Sequence, residues 1–87
     1  MLRAKKSLSQ NFLKDKNICK KIVKLTTITN KTIMEIGPGY GFMTDVILEN
    51  NPKNIILIEK DKELIKYLNN KYKNNKKVSI IYKDILK

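Results

Sequence analysis

Three short apolar runs constrain this chain more than any other feature. "TIMEI" at residues 32–36, "NIILIE" at 54–59 and "VSIIY" at 78–82 each have strand length, and a helical pattern fills each gap. Residues 42–50 bury Met43, Val46 and Ile47 on one face and stop at Asn51-Pro52. Residues 62–73 place Leu64, Ile65, Leu68 and Tyr72 on one stripe. Strand, helix, strand, helix, strand in that order predicts a parallel sheet with right-handed crossovers. The unbroken apolar run at 54–59 predicts a strand covered on both faces. Ahead of the first strand, Ile18, Ile22, Val23 and Leu25 recur at helical spacing over residues 15–25, with Asp15 placed as the N-cap. The Thr- and Asn-rich residues 26–31 read as a loop.

The chain has 87 residues, room for one small domain and short of the roughly 100–150 typical of one. Its net charge of +11 is unevenly placed. Residues 1–31 hold nine basic side chains and one acidic, a net of +8, whereas residues 32–87 hold ten and seven, a net of +3. A basic leading third predicts a polyanionic partner such as nucleic acid. The plainer alternative is a bias toward lysine and asparagine, visible in "KYLNNKYKNNKK".

The single cysteine, Cys19, cannot pair internally, fits a reducing compartment, and reads as a small hydrophobe on the first helix. The absence of histidine excludes histidine general-base chemistry and histidine-ligated metal in these residues. No apolar run reaches the roughly 18 residues of a membrane span, and the start lacks the apolar stretch of a secretory signal.

The segment "EIGPGYG", Glu35 to Gly41, leaves the first strand and enters a helix. Glycines there let the backbone turn and approach a ligand, and the helix start offers unpaired amides. Glu59 ends the second strand, where a carboxylate can accept ribose hydroxyls, and Asp84 stands just past the third. Any one acid at such a place commonly caps a helix or opens a loop. Together with the glycine turn they predict a nucleoside-cofactor site beyond the carboxyl ends of the strands. The dinucleotide pattern G-x-G-x-x-G asks for glycine at position 42, where Phe42 stands.

The turn opening with Glu35 resembles the S-adenosylmethionine loop of the class I methyltransferases. That resemblance implies an α/β fold, here the N-terminal portion of a Rossmann-like domain: three parallel strands with flanking helices. The sheet would be incomplete, in the order 3-2-1, with its first strand an exposed edge. In that family the first acid lies near the cofactor's amino acid end, the second binds the ribose and the third lies by the adenine. Glu35, Glu59 and Asp84 match those places. "KKSLSQNFLKDKNICKKIV" followed by "EIGPGYG" is similar to the ribosomal RNA adenine N6-dimethyltransferases, the kasugamycin-sensitivity and erythromycin-resistance enzymes.

By that resemblance Asn11 and Leu13, on an arm folding over the cofactor, contact S-adenosyl-L-methionine, and Gly37, Glu59 and Asp84 complete its site. Ser9 stands where that family usually has glycine. The family's Asn-Leu-Pro-Tyr motif, which holds the target amine, does not occur in the 87 residues, so no catalytic residue is expected here. The implied activity is dimethylation of adenine N6 amines in small-subunit (16S) ribosomal RNA. The implied partners are ribosomal RNA and the small ribosomal subunit, in the cytoplasm, without metal or membrane, by an enzyme monomeric when complete. The chain then divides into a basic arm and helix, 1–31, and the first half of the cofactor-binding domain, 32–87. A truncated, non-catalytic remnant that binds cofactor or RNA weakly is the alternative, and a nicotinamide-dependent oxidoreductase is a third reading that Phe42 opposes.

Overall fold

The structure, a computed structural model, describes residues 15–86. Its elements are α1 (Lys16–Val23), β1 (Thr32–Ile36), α2 (Phe42–Glu49), β2 (Asn54–Glu59), α3 (Lys62–Lys71) and β3 (Val78–Tyr82). The three strands form a parallel sheet in the order β1-β2-β3, on the residues their apolar runs predict.

Both α1 and α3 start on an aspartate that takes up orphan amides of the first turn. Asp15 accepts from Asn17 N (3.0 Å) and Ile18 N (3.2 Å), and Asp61 accepts from Glu63 N (2.9 Å) and Leu64 N (3.4 Å). The α1 helix stops at Val23, so Leu25 lies beyond its last turn and is 84% exposed. Its buried pair is Cys19 and Val23, four residues apart, while Ile22 is turned largely to solvent. Composition marks residues 26–31 as a loop, yet Ile28 within it is part of the core. Asn30 and Asn51 both take left-handed backbone (φ 64° and 55°), which asparagine tolerates better than most side chains. The amide of Asn30 donates to Asn51 O at 2.9 Å, tying that loop to the α2–β2 connection.

Strand register separates the sheet into two unlike faces. One carries the rows Ile33–Ile55–Val78 and Glu35–Leu57–Ile80, and all three helices contribute to the core packed on it. The other carries Met34–Ile56–Ser79 and Ile36–Ile58–Ile81, of which Met34, Ile36 and Ile81 are exposed. The three described helices thus pack on one face of the sheet, while on the other β2 is still shielded, Ile58 being buried and Ile56 half-buried, as its unbroken apolar run predicts. Two crossovers of one hand, stepping the same way across the sheet, place their helices on the same face. Among the described residues, no strand pairs with the outer edge of β1.

Glu35 points into the helix-covered face, where the fully buried Thr44 of α2 donates its hydroxyl to Glu35 Oε1 at 2.5 Å. Burial raises this carboxyl above the ordinary carboxylate range; the Thr44 hydrogen bond opposes the rise and the charge of Asp45 adds to it. A folded-state pKa above the unfolded one means that the ionised form is penalised by folding. The group's contribution is present at low pH and lost as pH rises through the raised value. Glu35→Gln keeps an acceptor for Thr44 and cannot ionise, so it should raise Tm at pH 7. That gain should fade below about pH 4, where the carboxyl is neutral in both states. Thermal melts across that range test it, and a lower Tm for the variant at pH 7 would contradict it. Asp15→Ala should cost about 1 kcal/mol through the lost cap, measurable by urea titration.

Candidate functional site

The turn at residues 37–41 joins β1 to α2 and is held from three sides. Gly37 N donates to Ile58 O at 2.8 Å, extending the β1–β2 ladder by one step. Gly41 N donates to Pro38 O at 3.0 Å, closing the turn, and Gly39 N reaches Glu59 Oε1 at 3.4 Å. Gly37 and Gly39 face open space: a Cβ built on either would have no neighbouring atom within 4 Å. Gly41 differs. It caps α2 in the left-handed region (φ 86°), and a Cβ there would collide with Tyr72 Oη.

Glu59 is only 5% exposed at the end of β2. A buried carboxylate needs donors, and backbone amides supply them. Oε2 accepts from Lys60 N and Asp61 N, each at 3.0 Å, and Oε1 from Gly39 N. Its main-chain oxygen accepts from Lys83 N at 2.9 Å, binding the residues just past β3 to the same point. Asp84 follows, its Oδ1 accepting from Leu86 N at 3.0 Å in a local turn. A carboxylate offers about four lone-pair sites. Oε1 of Glu59 has one in reserve beyond its long contact with Gly39.

These elements surround a cavity of about 260 Å³ at the C-terminal ends of the strands. Gly37, Gly39, Glu59 and Asp84 line it on the polar side, with Leu64 and Ile85 among its apolar walls. Lys60 and Lys83 also border it, each beside one of the acids. The structure thus brings together Gly37, Glu59 and Asp84. Asn11 and Leu13 lie outside the described residues. Glu35, expected near the same ligand, does not line the cavity; its carboxylate is directed to Thr44 beneath the turn. Alternation explains this: Glu35 shares a face with Leu57 and Ile80, the face the helices cover.

Sequence reading missed two contributions. Ile85 and Leu86, which line the cavity, follow β3 with no periodic signal. Tyr72, read as one more apolar position on a helical stripe, is the α3 C-cap and reaches Gly41 with its hydroxyl. Among the described residues, no helix is long and apolar enough to cross a membrane, and no group of three or more His, Cys, Asp or Glu side chains is placed to hold a metal ion.

The chain has counterparts among known proteins. Ribosomal RNA small subunit methyltransferase A of Pelagibacter ubique is 48% identical over 86 residues, covering 99% of this chain and 32% of the relative. A dimethyladenosine transferase from Plasmodium falciparum superposes with a TM-score of 0.74 at 26% identity, covering 87% of this chain and 28% of that one. The 23S rRNA methyltransferase ErmE superposes with a TM-score of 0.76 at 24% identity, over 86% of this chain and 31% of that one, a likeness of fold. The chain spans about a third of the length of such relatives. A family model described as ribosomal RNA adenine dimethylase matches residues 1–87. With that match over every residue and near-half identity to a relative across almost all of them, the chain belongs to the ribosomal RNA adenine dimethylase family.

Proposed function

We propose that these residues are the cofactor-holding part of an S-adenosylmethionine-dependent enzyme that dimethylates adenine N6 amines in small-subunit (16S) ribosomal RNA. The observation that carries the reading is the buried Glu59 carboxylate facing a glycine turn across a cavity at the strand ends, in a chain of this family.

The residues present fit such a cofactor. The open space before Gly37 and Gly39 admits a ligand against bare backbone. Glu59 would take a ribose hydroxyl on the reserve lone pair of Oε1, and a second by displacing the long 3.4 Å contact to Gly39. Leu64 and Ile85 offer apolar surface to a flat base, with Asp84 at its rim to accept from an exocyclic amine. The bound cofactor supplies an electrophilic methyl group on sulfur. The chain's part is to bind and orient it, which is where much of the rate of an in-line transfer originates. No residue here is assigned to hold the attacking amine.

The same reading gives ribosomal RNA and the small ribosomal subunit as partners, a cytoplasmic location, a monomeric state for the complete enzyme, and Asn11 and Leu13 as further cofactor contacts. It also treats residues 1–31 as a basic arm and helix leading into the cofactor-binding domain. The excess of basic charge in residues 1–31 supports the RNA partner.

Calorimetry with S-adenosylhomocysteine and, separately, NAD tests the cofactor class: binding of the first and not the second is expected. Glu59→Gln keeps the side-chain volume but loses the charge and part of the acceptor capacity. It should weaken S-adenosylhomocysteine binding about tenfold or more, as expected for a hydrogen bond to a charged group. Equal affinity in wild type and variant would overturn the assignment of Glu59.

A further inference from the structure

The glycine turn is fastened on its far side by a polar cluster that does not line the cavity. Tyr72 Oη lies 2.6 Å from Asp45 Oδ1 and 3.1 Å from Gly41 O, so its one proton is shared between a carboxylate and a carbonyl of the turn. Lys71 Nζ donates to Asp45 Oδ2 and to Tyr40 O, both at 2.9 Å. The consecutive carbonyls of residues 40 and 41 are thus both held by the end of α3. Asp45 bridges the two donors while its own amide donates to Gly41 O at 2.9 Å. Tyr72 is 8% exposed, and a Cβ at Gly41 would occupy the place of its hydroxyl.

We propose that Tyr72, with Asp45 and Lys71, is the positioning device of the cofactor loop. It fixes the carbonyls of Tyr40 and Gly41 so that Gly37 and Gly39 stay open toward the cavity opposite Glu59. The inference rests on the cofactor reading above and deepens it. Two observations separate it from ordinary core packing. First, α3 packs on β2 and β3 and sets its Tyr67 ring edge-on to Tyr40, and this cluster adds a polar tie from the end of the same helix to the turn. Second, the bonds go to main-chain atoms of the turn, whose conformation decides where the amides of residues 37 and 39 point. Burial, together with the adjoining Asp45 carboxylate, pushes the Tyr72 hydroxyl far above the ordinary phenol range, so it remains a donor.

Tyr72→Phe keeps the ring in the core and removes the donor. In the 87-residue chain it should weaken S-adenosylhomocysteine binding about tenfold by calorimetry. Amide exchange at Gly39 and Gly41 should quicken in the same variant without ligand. Val78→Ala, which thins the core away from the turn, is the stability control: its Tm falls, but its affinity and its exchange at Gly39 and Gly41 should match wild type. The proposal is overturned if Tyr72→Phe leaves exchange at those glycines unchanged, or if both variants lose affinity in proportion to their loss in Tm. If wild type itself fails to bind S-adenosylhomocysteine, the cofactor reading falls for this chain, and the exchange comparison still decides whether Tyr72 holds the turn.

Discussion

The site depends on one buried carboxylate. Removing Glu59 from water is costly unless its oxygens are supplied with donors, and the amides of Gly39, Lys60 and Asp61 supply them. Those amides belong to the turn after β1 and to the entry into α3. The main-chain oxygen of the same residue takes the amide of Lys83 beyond β3. One residue therefore draws together the three chain segments that wall the cavity. A parallel sheet makes this possible, because all its strands point their C-terminal ends the same way.

The three described helices cover one face of the sheet for a reason that lies in connectivity. Each crossover keeps its hand and each step moves in the same direction, from β1 through β2 to β3. The described helices accumulate where Ile55, Leu57 and Val46 meet, while Met34, Ile36 and Ile81 stand exposed on the opposite side.

Beneath the glycine turn the covered face is polar where a hydrophobic layer would be the default. Thr44 is fully buried, yet its hydroxyl and the Glu35 carboxylate satisfy one another, and Tyr72 is satisfied by Asp45 and Gly41. No buried side-chain polar atom among the described residues lacks a partner. Glu35 and Glu59 thus divide two tasks between acids of similar sequence setting. One braces the base of the turn from the core, and the other holds it from the cavity.

The elements and their order were legible in the sequence because they depend on local patterning. Apolar runs of strand length, Asp15 at a helix start and Asn-Pro at a helix stop act over a few residues, and all three strands fell where the apolar runs put them. That Gly37, Glu59 and Asp84 border one cavity was legible for the same reason: each stands at a strand's C-terminal end, and a parallel sheet gathers such ends into one place. Tertiary structure decided what pattern cannot encode. It turned Glu35 to the core, since strand alternation fixes a side chain's face but not which face the helices cover. It also gathered the three described helices on one face of the sheet, made Ile28 a core residue inside a polar loop, and set the Tyr72 hydroxyl against a turn 31 residues away. Contacts of that separation arise only when the crossovers bring α3 beside α2, and nothing in the local spacing of Tyr72 distinguishes a ring that merely packs from one that also donates.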